Sequence, residues 1–533
     1  MSRHKPNLAV ALSTVIVAGL LAGCTSSSTP GLGPTSSGAG ANTPTTGGVR
    51  SPASVPGSPQ PAANFTDCRD AFNLSSLSYP SGREQRLSFV CATIAVPLDY
   101  AKPGGKKISL QLVKIHDSAN TARTGSLLVN PGGPGGSGVE LGVGLSAQLS
   151  DSVMSHFDII GFDPRGVGSS TPVRCLTDHQ KDVLNAAAPN ILTQAGFEQA
   201  RQQAKTFATA CNDKVGTSLA DFDTVQTARD MDQIRKAVGD LKMNYLGFSY
   251  GTELGSIYAH LFPKNVRVAV LDGAVDPLTD DIASFADQLT GFEGSFDQFA
   301  AYCRKTTPCS GIGDPRQAVY KVAAKATSSP IPSSAPGETR KATSSLLYTG
   351  VLSALYSQSL WSTLGAALQQ ALHGDSQGIL ALADRYNERV NGHYSNLSDA
   401  NATIGCNDSK PGPSDARILA TAKSWKTRFP IFGLWSAPSL FGCQQWQPDR
   451  TPVPLPTAAT PNKVLVVGNL HDPATPYQGA KDLAKTMGNT DLLTWDGEGH
   501  TSYLQGSTCV DKHVDDYLVN LTLPPAGTTC PRK

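Results

Sequence analysis

Three side chains from distant parts of this chain have the types needed for nucleophilic catalysis: Ser249, Asp472 and His500. A serine hydroxyl attacks a carbonyl only if a base takes its proton and an acid orients that base. Ser249 stands in Gly247-Phe248-Ser249-Tyr250-Gly251, a match to Gly-x-Ser-x-Gly. The apolar run before it reads as a strand, and Leu254, Ile257, Tyr258 and Leu261 after it recur at helical spacing. Strand, sharp turn and helix together make a nucleophile elbow of this pattern. The glycines leave room for a strained serine, which is pushed out at the positive end of the next helix. The plain alternative is a glycine-rich turn with an idle serine.

The acid and base are expected after the last two strands, in the order Ser, Asp, His. The segment 463–468 reads as a strand and runs into Asn469-Leu470-His471-Asp472-Pro473-Ala474-Thr475-Pro476. The segment 491–495 reads as another and runs into Asp496-Gly497-Glu498-Gly499-His500-Thr501. His471 is the competing base, but it adjoins Asp472, and chain neighbours point apart. Gly497 and Gly499 give His500 a loop of its own. Asp272, at the end of the strand after the elbow, is the second choice of acid, and Asp496 the third. The oxyanion of a tetrahedral intermediate needs two N–H donors. One is the amide of Tyr250, and the other is expected from the glycine-rich loop after Asn130, at Gly133 or else Gly132. That loop lacks the Gly-Lys-Ser/Thr ending of a phosphate-binding loop.

Positioning these groups needs a mostly parallel sheet. Short strands alternate with helices as far as Gly273, which argues an α/β layer structure. Two strands are read at 91–98 and 108–115, others at 126–130, 157–162 and 266–272, and a helix capped by Thr224 between them. From 274 to 460 the pattern is mainly helical, with one stretch at 346–372 and Trp361 in a core. Such a block, inserted in an α/β sheet that is completed afterwards, is a cap over the strand carboxyl ends, where these sheets bind ligands. The division is therefore core 65–273, cap 274–460 and core 461–533.

The N-terminal part is read differently. Arg3, His4 and Lys5 precede an apolar run at 8–21 that is too short to span a bilayer as a stable helix. Leu21-Ala22-Gly23-Cys24 resembles a bacterial lipobox, which makes 1–24 a lipoprotein signal and Cys24 the lipidated residue. An ordinary secretory signal is the alternative. Residues 25–64 are rich in Ser, Thr, Gly and Pro with one charge, Arg50, and read as a flexible tether. Ten of the 11 cysteines remain besides Cys24, and nearest-neighbour pairing gives Cys68 with Cys91, Cys175 with Cys211, Cys303 with Cys309, Cys406 with Cys443 and Cys509 with Cys530. Disulfides fit an exported protein. Without Cys-x-x-Cys spacing or a histidine pair, no zinc site is expected. A net charge of +1 gives no electrostatic case for nucleic acid.

Taken together, Asn130-Pro131-Gly132-Gly133-Pro134-Gly135, Gly161-Phe162-Asp163-Pro164-Arg165-Gly166, the elbow and Asp472-Pro473-Ala474-Thr475-Pro476 resemble the prolyl and tripeptidyl aminopeptidase family of serine hydrolases, from about residue 80 to the C-terminus. The chain is most similar to exported, lipid-anchored members, some called carboxylesterase A. The resemblance implies an α/β-hydrolase fold with an inserted helical cap, a triad of Ser249, Asp472 and His500, and hydrolysis of peptides from a free amino end. Prolyl aminopeptidases usually carry His-Gly-Gly-Pro-Gly, so Asn130-Pro131 leans toward the tripeptidyl branch. Holding a substrate ammonium calls for a carboxylate near the serine. Asp408 is the first candidate and Glu253 the second, with a surface acid and a helix-start acid as their plain alternatives. Thr475 would steady Asp472 or serve only as a turn residue. The expectation is a lipid-anchored serine hydrolase that needs no cofactor or metal. A carboxylesterase with the same triad is the second reading, and an inactive binding lipoprotein the third.

Overall fold

The computed structural model describes residues 60–309 and 311–532. Cys24, the expected signal and most of the expected tether lie outside them. The last tether residues, 60–64, lie on the core: the Ala63 amide donates to the Ala237 carbonyl at 2.9 Å.

The strands of the main sheet are β1 (Thr66–Asp67), β2 (Leu87–Pro97), β3 (Lys107–Asp117), β4 (Gly125–Asn130), β5 (Phe157–Phe162), β6 (Met243–Phe248), β7 (Val266–Asp272), β8 (Val464–His471), β9 (Thr490–Glu498) and β10 (Thr529–Cys530). They form one sheet in the order β1-β2-β3-β5-β4-β6-β7-β8-β9-β10. Pairing is antiparallel from β1 through β3 to β5. It is parallel from β5 onward. Every residue of β4, β5 and β6 is buried, as expected of central parallel strands covered on both faces.

In chain order the helices are α1 (Gly138–Gln148), α2 (Asp178–Ala186), α3 (Gln194–Val215), α4 (Thr224–Ala237), α5 (Tyr250–Leu261), α6 (Asp281–Cys303), α7 (Pro315–Ser328), α8 (Ser344–Leu355), α9 (Trp361–Leu372), α10 (Gln377–Tyr386), α11 (Leu397–Asp408), α12 (Asp415–Arg428), α13 (Tyr477–Met487) and α14 (Thr508–Asn520). Met231 on α4, Leu254 on α5 and Leu483 on α13 pack on one sheet face. Leu141 on α1 and Val514 on α14 pack on the other. Each fully buried aliphatic chain in these layers contributes about 1.5–3 kcal/mol.

A third apolar cluster is built from α6 to α10 and α12 and holds Trp361, whereas Ala400 and Ile404 of α11 pack with the sheet-face cluster. It also takes Ile191 and Ala200, from the segment between β5 and β6, and Phe197 on α3 meets Phe441 edge to face at 4.9 Å. The helical layer thus recruits part of 178–215, while α11 and the stretch 443–458, inside the expected insertion, pack on the sheet face instead. The stretch 346–372 is two helices broken at 356–360. The cap of α4 is Asp223, whose carboxylate accepts the Gln226 amide at 2.7 Å, which moves Thr224 to the first helical position. The cysteines are joined Cys68–Cys91, Cys175–Cys211, Cys303–Cys309, Cys406–Cys443 and Cys509–Cys530.

Arg165 is wholly buried and clamps Asp230 through two hydrogen bonds of 2.7 Å. The nearby Asp163 accepts from the Ser137 hydroxyl at 2.6 Å and the Ser169 amide at 2.8 Å, fastening the loop after β5 to the start of α1. The Asp-Pro-Arg-Gly motif is a structural tie.

Candidate active site

Ser249 sits between β6 and α5 at φ 55° and ψ −127°, a strained conformation that costs of order 1–3 kcal/mol. The turn is packed so tightly that a Cβ on Gly247 would lie 2.4 Å from the Gly251 carbonyl oxygen, and one on Gly251 would lie 2.8 Å from that of Asn130. The Ser249 amide donates to the Asp272 carbonyl at 2.9 Å, which ties the elbow to the end of β7.

Asp472 and His500, both buried, meet at the ends of β8 and β9. His500 Nδ1 lies 2.8 Å from Asp472 Oδ1 and 3.0 Å from Oδ2. Three amides also point at this carboxylate: Ala474 at 2.9 Å, Thr475 at 2.8 Å and Thr501 at 2.9 Å. Asp472 is thus an acceptor on every side, and the ring is oriented by its Nδ1. The Thr475 hydroxyl is 3.3 Å from the same nitrogen. The other ring nitrogen, Nε2, is buried and among the described residues has no hydrogen-bond partner, the Ser249 hydroxyl included. The Tyr356 carbonyl accepts the His500 amide at 2.9 Å, and the two rings meet edge to face at 5.5 Å. Gly273, which follows the residue bonded to Ser249, faces this ring: a Cβ there would lie 3.4 Å from His500 Cε1.

The rival residues have other partners. His471 Nε2 is 3.2 Å from Asp496, which also takes Arg532 at 3.1 Å. Asp272 accepts the amides of Ser502 at 3.0 Å and Tyr503 at 2.8 Å, and so holds the chain just beyond His500. Burial, opposed by these two amides, pushes the Asp272 carboxyl up to about 7.

The loop after β4 crosses the elbow. A Cβ on Gly132 would fall 2.9 Å from the Tyr250 nitrogen and 3.0 Å from Ser249 Cβ. The Gly132 amide donates to Asn130 Oδ1 at 2.9 Å, so of the two glycines considered, Gly133 is the one left to offer a donor. The sequence marked Asn130 only as a departure from the prolyl pattern, not as the residue that ties this turn. Its short polar side chain two residues before Gly132 is the signal of an Asx turn.

Asp408 and Glu253 lie beside Tyr250. Asp408 is buried at the end of α11, and both its oxygens accept from Thr224, the amide at 3.0 Å and the hydroxyl at 2.6 Å. Thr224 Oγ1 is also hydrogen-bonded to the Tyr250 hydroxyl. Burial holds the Asp408 carboxyl well above the usual range, and the charges of Asp223 and Glu253 add to this. Burial likewise raises Asp223 to about 6. Glu253 is only partly buried, and among the described residues its carboxylate has no hydrogen-bond partner; desolvation, with Asp281 nearby, pushes it up to about 8.

A serine on a strained elbow, an aspartate-oriented histidine and an α/β sheet with a helical roof define a serine hydrolase of the α/β-hydrolase fold. The family described as TAP-like protein matches residues 429–530. The chain is 37% identical over 462 residues to the serine protease Hip1 of Mycobacterium tuberculosis (strain ATCC 25618 / H37Rv), covering 83% of this chain and 87% of that one. It is 36% identical over 492 residues to carboxylesterase B of the same strain, covering 89% and 92%. It is 31% identical over 455 residues to the tripeptidyl aminopeptidase of Streptomyces lividans, covering 83% of each. The chain belongs to the TAP-like family of α/β-hydrolases.

Proposed function

We propose that the protein removes short peptides from the free amino end of its substrates through an acyl-enzyme on Ser249. The Ser249 hydroxyl attacks the scissile carbonyl carbon while its proton passes to His500 Nε2. Asp472 stabilises the resulting imidazolium. The amides of Gly133 and Tyr250 bind the oxyanion, a contribution typically of roughly 100- to 1,000-fold in rate per donor. As the C–N bond breaks, the imidazolium gives its proton to the leaving amine. Water, deprotonated by His500, then cleaves the ester and restores the serine.

The observation that carries the acyl-enzyme is the His500 ring, oriented at Nδ1 by Asp472 and with Nε2 free of any other partner among the described residues, and so available to the Ser249 proton. The likeness to a tripeptidyl aminopeptidase supports the amino-end preference. Of the two acids expected at the substrate ammonium, Glu253 suits the role better, because both oxygens of Asp408 are engaged by Thr224. A protonated Glu253 would release its proton on meeting the ammonium. Replacing it with glutamine is expected to raise KM for peptides with a free amino end and to leave KM for an N-blocked ester unchanged.

A second reading, cleavage of acyl esters by the same triad, is favoured by the likeness to carboxylesterase B. Turnover of a tripeptidyl anilide is compared with that of a short-chain nitrophenyl ester. Turnover of the ester alone, with peptides untouched at high enzyme, would sink the peptidase reading. Labelling by a fluorophosphonate probe that persists in Ser249→Ala would sink the acyl-enzyme.

Export and lipid anchoring through Cys24 belong to the same proposal. The basic start, the short apolar run and Leu21-Ala22-Gly23-Cys24 support it. The chain should incorporate radiolabelled palmitate in a bacterial host, and Cys24→Ala should not. Equal labelling of the two would refute the anchor.

A further inference from the structure

A cavity of ≈ 900 Å³ lies apart from the serine, between the α2–α3 segment and the cap helices. Neither Ser249, Asp472, His500 nor the 130–136 loop contributes to its wall. Phe207, Tyr348 and Trp435, all only partly buried, turn surface toward it, and Ala200 and Ala204 on α3 and Ala323 and Ala324 on α7 add to the wall. Its size is at the upper end of what small-molecule sites usually offer. Apolar and aromatic surface left facing a void forgoes both burial and dispersion contacts that a filled site would have.

The charge on the wall narrows the ligand. Two ammonium groups line the cavity and no carboxylate does. Lys181 is buried and already answered by Asp399 at 2.9 Å and the Ser395 carbonyl at 2.9 Å. Lys426 is exposed on the last turn of α12 and has no ion-pair partner among the described residues. A peptide with a free ammonium would find no carboxylate here. A long apolar body with one anionic end would place the body against the aromatic wall and the end at Lys426.

We infer that this cavity is a binding site, separate from the catalytic one, for a single-chain amphiphile with an anionic head, of the fatty carboxylate class. It is tested on the full chain blocked at Ser249 with a fluorophosphonate, so that the catalytic mouth cannot capture acyl chains. The probe is 11-(dansylamino)undecanoate, read by fluorescence. One equivalent should bind saturably, and palmitate should displace it at least tenfold better than 1-hexadecanol, since the alcohol lacks the charge. Lys426→Glu should weaken binding tenfold or more, and Ala204→Phe, which fills the void from α3, should abolish it. Both variants should keep the wild-type melting temperature and fluorophosphonate labelling. Absence of saturable binding, or affinity unchanged in both folded variants, would overturn the site. Binding seen only with Ser249 unblocked would also overturn it, by assigning acyl chains to the catalytic mouth. Neither result depends on which substrate the triad cleaves.

Discussion

Two buried aspartates, one paired with His500 and one linked through Thr224 to Tyr250, are held in opposite ways. Asp472 receives three amides and an imidazole nitrogen. Among the described residues Asp408 receives only Thr224, and Asp223 and Glu253 crowd it with like charge. The same side chain is therefore an orienting acceptor on one side of Ser249 and a group that favours its proton on the other. The two sites differ in how many donors the local backbone turns inward: three amides at Asp472 and one at Asp408.

The largest consequence is expected on the Asp472 side. Asp472→Asn should lower kcat by about 10⁴-fold while the fold persists, because the amide no longer fixes the imidazole tautomer. A loss below tenfold in the folded variant would break the contrast. Next comes Asp408→Ala, which leaves the Thr224 donors without their acceptor and should destabilise by about 1–3 kcal/mol in chemical denaturation. Asp408→Asn, close in shape to the protonated acid, should change kcat less than about fivefold, and a collapse of kcat would mean that a charged Asp408 is needed. The subtlest test is of pH. With the Asp272 carboxyl at about 7 in the folded protein against 3.8 unfolded, the folded state binds more protons between these values. Stability contributed by this group is therefore lost as pH rises through that window. Asp272→Asn should lose less stability between pH 5 and 7.5 than wild type, measured as the shift of the urea midpoint, and equal losses would contradict the raised carboxyl.

The elbow turn and the pairing of Asp472 with His500 were readable because each lies in or just after a strand with its own turn residues, and local pattern reports local geometry. The fold class followed from the alternation of strands and helices for the same reason. What was hidden depends on contacts between distant segments. Nothing near Asp272 announces that its carboxylate will hold the amides of Ser502 and Tyr503, about 230 positions away. Thr224 was a reasonable helix cap by type, but Asp223 outcompetes it and frees Thr224 to bind the cap residue Asp408. The share of 178–215 in the helical layer was missed because an amphipathic helix does not state which layer it will cover.

Helix α11 and the residue before it carry a row of short polar side chains. Asn396 donates to the carbonyls of Gly166 and Val173, Asn401 to that of Pro134, and Asn407 to those of Leu219 and Phe222. With Asp408 at its end, this helix is stitched to the α/β layer along its whole length. Lifting the roof would break all of these bonds together, each worth about 1 kcal/mol net. Because Asn401 holds the Pro134 carbonyl, this helix also fixes the loop that crosses the elbow, so a change on α11 reaches the neighbourhood of Ser249 through the backbone of that loop.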